Sequence, residues 1–235
     1  MSLSSAIVTG GTGALGSVVV ATLMNNGIRV AIPVRPGSGE ATAPLEQGDG
    51  RKMVYRREAD ITSESGAASF VREAAAHGGG VGILVNCAGA YEGGKKIGEV
   101  TAATLDGMLT ANLRTAFVMS GAVLPIMRAA HYGRIISIAA MAALSPAASR
   151  GAYAIAKRGV VTLTETIAEE VKGSGITANA IAPSIIVTPA NRASMPSADV
   201  SRWVTPEEIA ALVLFLCSEN ARSISGNVLK VYGGV

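Results

Sequence analysis

The sequence has few cysteines, the residues that form disulfides in small secreted proteins and bind zinc in many metal-binding proteins. Its 235 residues include only two cysteines, Cys87 and Cys217, and these form no CxxC pair. A disulfide framework and a cysteine-rich zinc site are therefore excluded, and a reducing cytoplasm is the expected location. Aromatic residues make up only 4% of the chain, while glycine occurs 28 times. This balance favours an α/β domain over an aromatic-rich β-sandwich.

Strong charge and long apolar runs are also missing. The formal net charge is +3, and the basic residues are scattered apart from the pairs at 51–52 and 56–57. Nucleic acid is therefore not an expected partner. No uninterrupted apolar run reaches the ~18 residues that a membrane span needs, and the first residues lack a basic leader region. We expect one soluble domain over residues 1–235, with no membrane partner and a small-molecule substrate.

Short apolar runs alternate with stretches of helical periodicity along the chain. Residues 35–50 contain two prolines and four glycines, which prevent a long helix and predict a shortened second crossover. Strands that alternate with helices indicate a parallel, doubly wound α/β sheet. The predicted strands lie at 6–8, 28–34, 53–57, 82–85, 134–138, 177–182 and 227–231. The predicted helices lie from about 15 to 23 and at 63–77, with Ser63 as N-cap, 101–127, 152–171 and 206–217.

A glycine-rich turn joins the first predicted strand to the first predicted helix. The stretch 9–16 reads TGGTGALG and contains GxGxxG at Gly11, Gly13 and Gly16. Glycines let the backbone approach a pyrophosphate, which the N–H groups and dipole of the following helix attract. The motif occurs by chance elsewhere, but the strand-turn-helix context favours dinucleotide binding over a merely structural turn.

A tyrosine and a lysine share one face of the helix predicted at 152–171. Tyr153 and Lys157 are four residues apart, so their side chains are neighbours. A nearby ammonium favours the phenolate and lowers the pKa of a phenol, which suits acid–base catalysis. By spacing alone, an ordinary solvated pair is the commoner explanation.

Taken together, the motifs resemble the short-chain dehydrogenase/reductase family over essentially the whole chain. They are the glycine turn at 9–16, Asn86-Cys87-Ala88-Gly89, Asn112, Tyr153-xxx-Lys157, Asn179-Ala180-Ile181-Ala182-Pro183 and Gly226. The resemblance implies a single Rossmann-type domain with a seven-stranded parallel sheet in the order 3-2-1-4-5-6-7. It also implies an NAD(P) cofactor and a homodimer or homotetramer.

The resemblance assigns a role to each matching residue. Tyr153 is the expected proton donor, Lys157 binds the nicotinamide ribose and lowers the pKa of Tyr153, and Asn112 holds a water in the proton relay. The other expected cofactor contacts are Gly10, Gly13, Leu15 and Gly16 at the pyrophosphate, Asp60 and Ile61 at the adenine, Asn86, Ala88 and Gly89 along the floor, and Pro183, Ile186 and Thr188 at the nicotinamide.

Two departures from the family pattern carry information. Members that prefer NAD place a carboxylate where this chain has Val34, which is followed by Arg35. Because a guanidinium pairs with a 2′-phosphate, we expect NADPH to be preferred, with NAD as the alternative. The family's catalytic serine lies thirteen residues before the tyrosine, at Ala140 here. Ser137, Ser145 or a water could replace its hydroxyl.

Loss of a second donor handicaps the reduction of ordinary ketones, where charge builds on one oxygen. A conjugated substrate spreads that charge. Residues 188–203 resemble the matching loop of dihydropteridine reductases, family members that also lack the serine, so a quinonoid dihydropterin or similar substrate is expected. This loop is a predicted substrate lid near 189–203, with candidate contacts at Asn191, Arg192, Met195 and Trp203. The alternatives are a general carbonyl reductase or alcohol dehydrogenase, such as a 3-oxoacyl-carrier reductase, and a non-catalytic dinucleotide-binding regulator.

Overall fold

The structure is a computed structural model, and it describes residues 5–38, 46–47, 51–52 and 54–235. Seven parallel strands form one sheet in the order β3-β2-β1-β4-β5-β6-β7. They are β1 Ser5–Thr9, β2 Arg29–Val34, β3 Val54–Glu58, β4 Ile83–Asn86, β5 Gly133–Ile138, β6 Ile176–Pro183 and β7 Val228–Val231. This is the predicted Rossmann-type order, 3-2-1-4-5-6-7.

Helices cover both faces of the sheet. They are α1 Ala14–Asn25, α2 Glu64–Gly78, α3 Ala102–Leu109, α4 Thr115–Ala130, α5 Met141–Leu144, α6 Gly151–Glu170, α7 Pro189–Ser194 and α8 Pro206–Cys217. Short 3₁₀ turns lie at Ile97–Glu99, Val200–Arg202 and Glu219–Ala221. Apolar side chains of α1 and α8 fill one face of the sheet, and those of α2, α4 and α6 fill the other. The strands are therefore buried on both sides, as their apolar sequences require.

Most predicted elements are present, with ends displaced by one to three residues. The N-cap prediction is confirmed, because the Ser63 hydroxyl accepts a hydrogen bond from the backbone N–H of Gly66 at 3.2 Å. Helices α5 and α7 were not predicted. The predicted shortened second crossover falls largely on residues 39–45, 48–50 and 53, which lie outside the described residues. The described part of it contains a small antiparallel pair, Glu46–Gln47 with Arg51–Lys52.

Helices α3 and α4 form one rod that is interrupted by a π-helical turn, Thr110–Arg114. The combined segment, Ala102–Ala130, is long and apolar enough to cross a membrane by length and composition, although the sequence was predicted to contain no such segment. In the structure its buried residues pack against α2 and the sheet. The segment Ala102–Ala130 is therefore a helix that packs onto the core of the α/β domain.

Candidate active site

The glycine turn and the segment after β4 are packed together at the carboxyl ends of β1 and β4. Gly10 has φ +64°, and a β-carbon at this position would lie 2.9 Å from Cα of Ala88. The backbone N–H of Ala88 donates to Oγ1 of Thr9 at 3.1 Å. Only glycine allows this approach with this backbone, and the two predicted cofactor segments thus form one continuous floor.

The same turn opens the amino end of α1 toward the crevice. Gly13 is the N-cap and its N–H donates to the carbonyl of Gly10 at 3.0 Å, while a β-carbon on Gly16 would lie only 2.1 Å from that carbonyl oxygen. Leu15 packs its side chain against the core. The first turn of α1 contains no acidic residue, so its N–H groups and dipole favour an anion.

Tyr153 and Lys157 lie near each other on α6, and burial shifts the pKa of both. The Lys157 ammonium is buried and donates to the carbonyl of Ile138 at 2.7 Å. Burial lowers the pKa of Lys157 to about 8. Burial, with Tyr91 nearby, raises the pKa of Tyr153 to about 12. In the protein alone, desolvation therefore outweighs the neighbouring cations at this phenol, and the lowering of its pKa by Lys157 stays a prediction. Arg150 acts in the lowering direction.

Asn112 is held inside the π-helical turn and faces the end of β4. Its Nδ2 donates to the carbonyls of Ala90 at 2.9 Å and Met108 at 3.0 Å, and its Oδ1 accepts from the N–H of Ala90 at 3.3 Å. A β-carbon on Gly89 would lie 2.6 Å from Oδ1 of Asn112 and 3.4 Å from Nζ of Lys157. The structure thus brings Asn112, Lys157 and Gly89 together, as the sequence predicts. The relay water assigned to Asn112 stays a prediction.

The space beside Tyr153, where the sequence analysis expects the counterpart of the family's serine at Ala140, is apolar. Ala140, Ala142 and Ala154 form a small buried cluster, and Tyr153 packs against it. Ser137 is buried, and its Oγ accepts a hydrogen bond from Nδ2 of Asn86 at 3.2 Å. This bond ties Ser137 to the scaffold and makes it a poor substitute for the missing donor.

Ser145, the other residue proposed to replace the serine hydroxyl, and Asn86 differ in their exposure and hydrogen bonds. Ser145 is exposed at the carboxyl end of α5. Asn86 is buried, with Nδ2 also donating to Oγ of Ser120 at 3.3 Å, while its Oδ1 has no partner among the described residues. Through Nδ2, the side chain of Asn86 therefore connects β4, β5 and α4, and its contact with the cofactor stays a prediction.

The expected adenosine end lies beyond β2 and β3. Arg35 directly follows β2 and is exposed. The Asp60 carboxylate accepts from the N–H of Thr62 at 2.9 Å and from its hydroxyl at 2.6 Å, and these bonds lower the pKa of Asp60. Ile61 is half-buried against the core. The Asp60 carboxylate is engaged in its own turn, and the contact of Asp60 and Ile61 with the adenine stays a prediction.

The expected nicotinamide end is formed by the carboxyl end of β6. Pro183 ends the strand, Ile186 pairs with Val204 in a parallel bridge, and Thr188 caps α7 by accepting from the N–H of Asn191 at 3.2 Å. Nδ2 of Asn191 donates to the carbonyl of Ile186 at 2.8 Å. Asn191 is thus engaged within the segment.

The remaining predicted lid contacts divide between surface and core. Trp203 is buried, which supports the alternative that it packs residues 189–203 onto the body of the domain. Arg192 is exposed and Met195 is half-buried. The segment predicted as a loop instead contains α7 and a 3₁₀ turn, because Thr188 and Pro189 provide a helix start.

The sequence did not point to two residues that lie near the phenol of Tyr153. The ring of Tyr91 meets the ring of Tyr153 edge-on, with centroids 5.0 Å apart and planes at 83°. Arg150 precedes Tyr153 by one turn at the start of α6. The helical spacing of Arg150 could have identified it, whereas Tyr91 lies in a coil whose position depends on the fold. The thiols of Cys87 and Cys217 are inert in this setting, since burial raises each pKa to about 12.

Comparison with known proteins accounts for this arrangement. The family model described as Enoyl-(Acyl carrier protein) reductase matches residues 11–235. The chain belongs to the short-chain dehydrogenase/reductase family. It is 31% identical to D-beta-hydroxybutyrate dehydrogenase of Cupriavidus necator, over 98% of this chain and 96% of that protein. It is 30% identical to the 3-oxoacyl-acyl-carrier-protein reductase MabA of Mycobacterium tuberculosis, over 98% of this chain and 92% of that protein.

A solved structure of the family agrees with the fold. The short-chain type dehydrogenase/reductase from Mycobacterium ulcerans is 27% identical, covers 98% of this chain and 89% of its own, and superposes with a TM-score of 0.91. The protein is therefore an NAD(P)-dependent oxidoreductase of the short-chain dehydrogenase/reductase family. A non-catalytic role is disfavoured, because Tyr153, Lys157 and Asn112 all stand at this crevice.

The residues of the crevice fit a dinucleotide. The glycine turn leaves no side chain in the way of a pyrophosphate, and α1 directs its amino end toward that position. Gly89 leaves a gap that a side chain would fill, beside the amide of Asn112 and the ammonium of Lys157. Polar hydrogen-bonding groups of this kind suit a ribose.

Proposed function

We propose that the protein is an NADPH-dependent reductase of a conjugated C=N or C=O substrate, such as a quinonoid dihydropterin. The observation that carries the proposal is the apolar cluster of Ala140, Ala142 and Ala154 around Tyr153. With one phenol and no serine, the site stabilises a localised alkoxide poorly. A ring that delocalises the accepted electrons needs less of this help.

The chain's own residues supply the proton and the orientation. A nicotinamide cofactor, when bound, supplies the hydride. Tyr153 keeps its proton at neutral pH, because burial raises the pKa of its hydroxyl to about 12, and it can donate that proton to the reduced nitrogen or oxygen. A phenol that stays protonated near neutrality can act as a general acid, which is the role that reduction requires. The likeness of residues 188–203 to dihydropteridine reductases supports the same substrate class.

The cofactor preference and the setting are part of the proposal. Val34 and Arg35 stand where NAD-preferring members carry a carboxylate, and the exposed guanidinium of Arg35 would pair with a 2′-phosphate. Binding of NADPH and NADH to wild type and to Arg35→Ala measures this preference. We propose residues 189–203 as a substrate lid and the cytoplasm as the location.

The decisive experiment mixes the protein with NADPH and chemically generated quinonoid dihydropterin and follows NADPH oxidation. We expect turnover that Tyr153→Phe removes. Because the missing donor is not needed for this substrate, Ala140→Ser should leave the rate little changed, while it raises turnover of a simple ketone by roughly a hundredfold. No NADPH oxidation above background removes the pterin assignment.

A second candidate is reduction of a 3-oxoacyl thioester. The names of the MabA and hydroxybutyrate dehydrogenase relatives favour it. This candidate expects wild type to reduce acetoacetyl-coenzyme A efficiently, with a water or Ser145 as the second donor. Ala140→Ser would then change that rate little. The two candidates therefore differ in whether Ala140→Ser raises the turnover of a ketone substrate.

A further inference from the structure

Two consecutive arginines on β3 point to opposite faces of the sheet and differ in their hydrogen-bond partners. Arg57 points toward α2, where its guanidinium pairs with Glu73 and donates to Oγ of Ser69 at 3.4 Å. Arg56 points the other way and forms no ion pair within the described part of the chain. Its Nε is buried and has no hydrogen-bond partner there. Because an unmatched buried donor is costly, the unpartnered Nε of Arg56 calls for an explanation.

The register of the sheet fixes the face on which Arg56 lies. In a parallel sheet, residues paired across neighbouring strands point to the same side, as Val30 and Val54 do by sharing one core cluster. Arg56 is paired with Ile32, which belongs to that same cluster. This is the α1 face, on which the glycine turn is built.

The glycine turn is within reach of that position. A β-carbon on Gly11 would lie 3.0 Å from Cγ2 of Ile32, so Ile32 directly supports the turn. Arg56 is one strand further out, and neighbouring strands are ~4.8 Å apart. An extended arginine side chain is longer than this spacing. The guanidinium of Arg56 can therefore reach the outer wall of the adenosine crevice.

The end of β2 brings a second guanidinium to the same wall. Val34 pairs with Glu58 at the ends of the two strands, and Arg35 follows immediately. The N–H of Gly37 donates to Oε1 of Glu58 at 3.4 Å, which holds the turn after β2 against β3. Among the described residues, Glu58 at these paired strand ends and Asp60 just after β3 are carboxylates, and their charges oppose an unaccompanied phosphate. The guanidinium groups of Arg56 and Arg35 offset this negative charge.

We infer that Arg56 is a specificity-determining residue that binds the 2′-phosphate of NADP together with Arg35. This inference rests on the proposed preference for NADPH. A guanidinium forms short, charge-assisted bonds to phosphate oxygens, so the phosphate would satisfy the orphaned donor of Arg56. Two cations also match the double negative charge that a phosphate monoester carries near neutral pH.

The test measures the dissociation constants of NADPH and NADH for the full chain and four variants. Arg56→Gln should weaken NADPH binding about tenfold or more and leave NADH binding within about twofold. Arg57→Gln is the matched control, since it removes the same charge from the neighbouring position on the opposite face. It should leave the ratio of the two constants unchanged. Arg56→Lys should keep part of the preference.

Three results separate the possibilities. Equal ratios in Arg56→Gln, Arg57→Gln and wild type, with a lower preference in Arg35→Ala, would overturn the role of Arg56 and keep the proposed cofactor. A wild type that binds NADH and NADPH equally would overturn both. Thermal unfolding of the two glutamine variants gives the last check. A loss of stability in Arg56→Gln with equal weakening of both cofactors identifies a structural role and contradicts the inference.

Discussion

Lys157 carries its amino group into a site that is almost closed to solvent, with 6% of the residue exposed. Its hydrogen bond to the Ile138 carbonyl replaces only part of the lost hydration, and burial lowers its pKa to about 8. The neighbouring phenol of Tyr153 experiences the same desolvation in the opposite direction, with a pKa of about 12. Both groups are therefore biased toward their neutral forms.

The lowered pKa of Lys157 predicts that the free energy of unfolding depends on pH. Below pH 8 the folded chain holds a buried charge, whereas in the unfolded chain the pKa is about 10.5. The unfolded state therefore binds more protons between these values, and the free energy of unfolding should rise with pH by about 3 kcal/mol from this group. Lys157→Met should be more stable than wild type at pH 7, and the difference should shrink toward pH 10.

Denaturant unfolding at several pH values measures this difference, and other titrating groups common to both proteins cancel. A constant difference from pH 7 to pH 10 would contradict the assigned pKa. At this scale the spacing placed Tyr153 and Lys157 on one helix face, and the family resemblance gave them their catalytic roles, which stay predictions. It could not give the direction of the Tyr153 pKa, because that depends on burial and on Tyr91, which arrives from a distant coil.

At the scale of elements, the glycine turn and the π-helical turn build the crevice by close approach of backbones. Gly16 leaves room for the carbonyl of Gly10, and the amide of Asn112 joins the π-helical turn to the backbone of Ala90. π-helical turns of this kind commonly occur at functional sites. Their geometry depends on contacts between segments.

Gly16→Ala should therefore damage cofactor binding. The new β-carbon would lie 2.1 Å from the carbonyl oxygen of Gly10, so the turn must move, and we expect at least about tenfold weaker NADPH binding. Gly107→Ala in α3 is the control, because its β-carbon would have open space. It should stabilise the fold by roughly 0.5–1 kcal/mol through helix propensity and leave binding unchanged. Equal NADPH affinities in the two variants would contradict the close-packed turn.

The elements themselves were largely predictable from apolar periodicity and caps. The helix at Pro206–Cys217 has the predicted ends, and Thr205 and Glu208 form a capping box at its start. Helix α5 and the π-helical turn were missed for a physical reason. Four residues are too few to show a helical period, and the π-helical turn has no sequence pattern separate from the helices on either side.

At the scale of the whole molecule, the sheet order follows from the family resemblance, whereas the contacts between copies do not follow from one chain. Phe117 on α4 and Ile155 on α6 are 60% and 51% exposed. Large exposed apolar side chains on neighbouring helices mark an association surface. We propose that copies of the chain associate through this face as a homodimer or homotetramer.

Phe117→Glu should reduce the molar mass measured by light scattering to that of a single chain, because it places a charge in the contact. Phe215→Glu is the control, since Phe215 is also exposed but lies on α8, on the other side of the sheet. It should leave the mass unchanged. A wild type that is already a single chain at micromolar concentration would refute the proposed contact.

The bridge between Ile186 and Val204 has one further consequence. It fixes both ends of the intervening segment to each other, so residues 187–203 form a closed loop rather than a free arm. A loop with fixed ends has fewer conformations to lose when it orders over a ligand. More of the contact energy would then remain as affinity for the ligand.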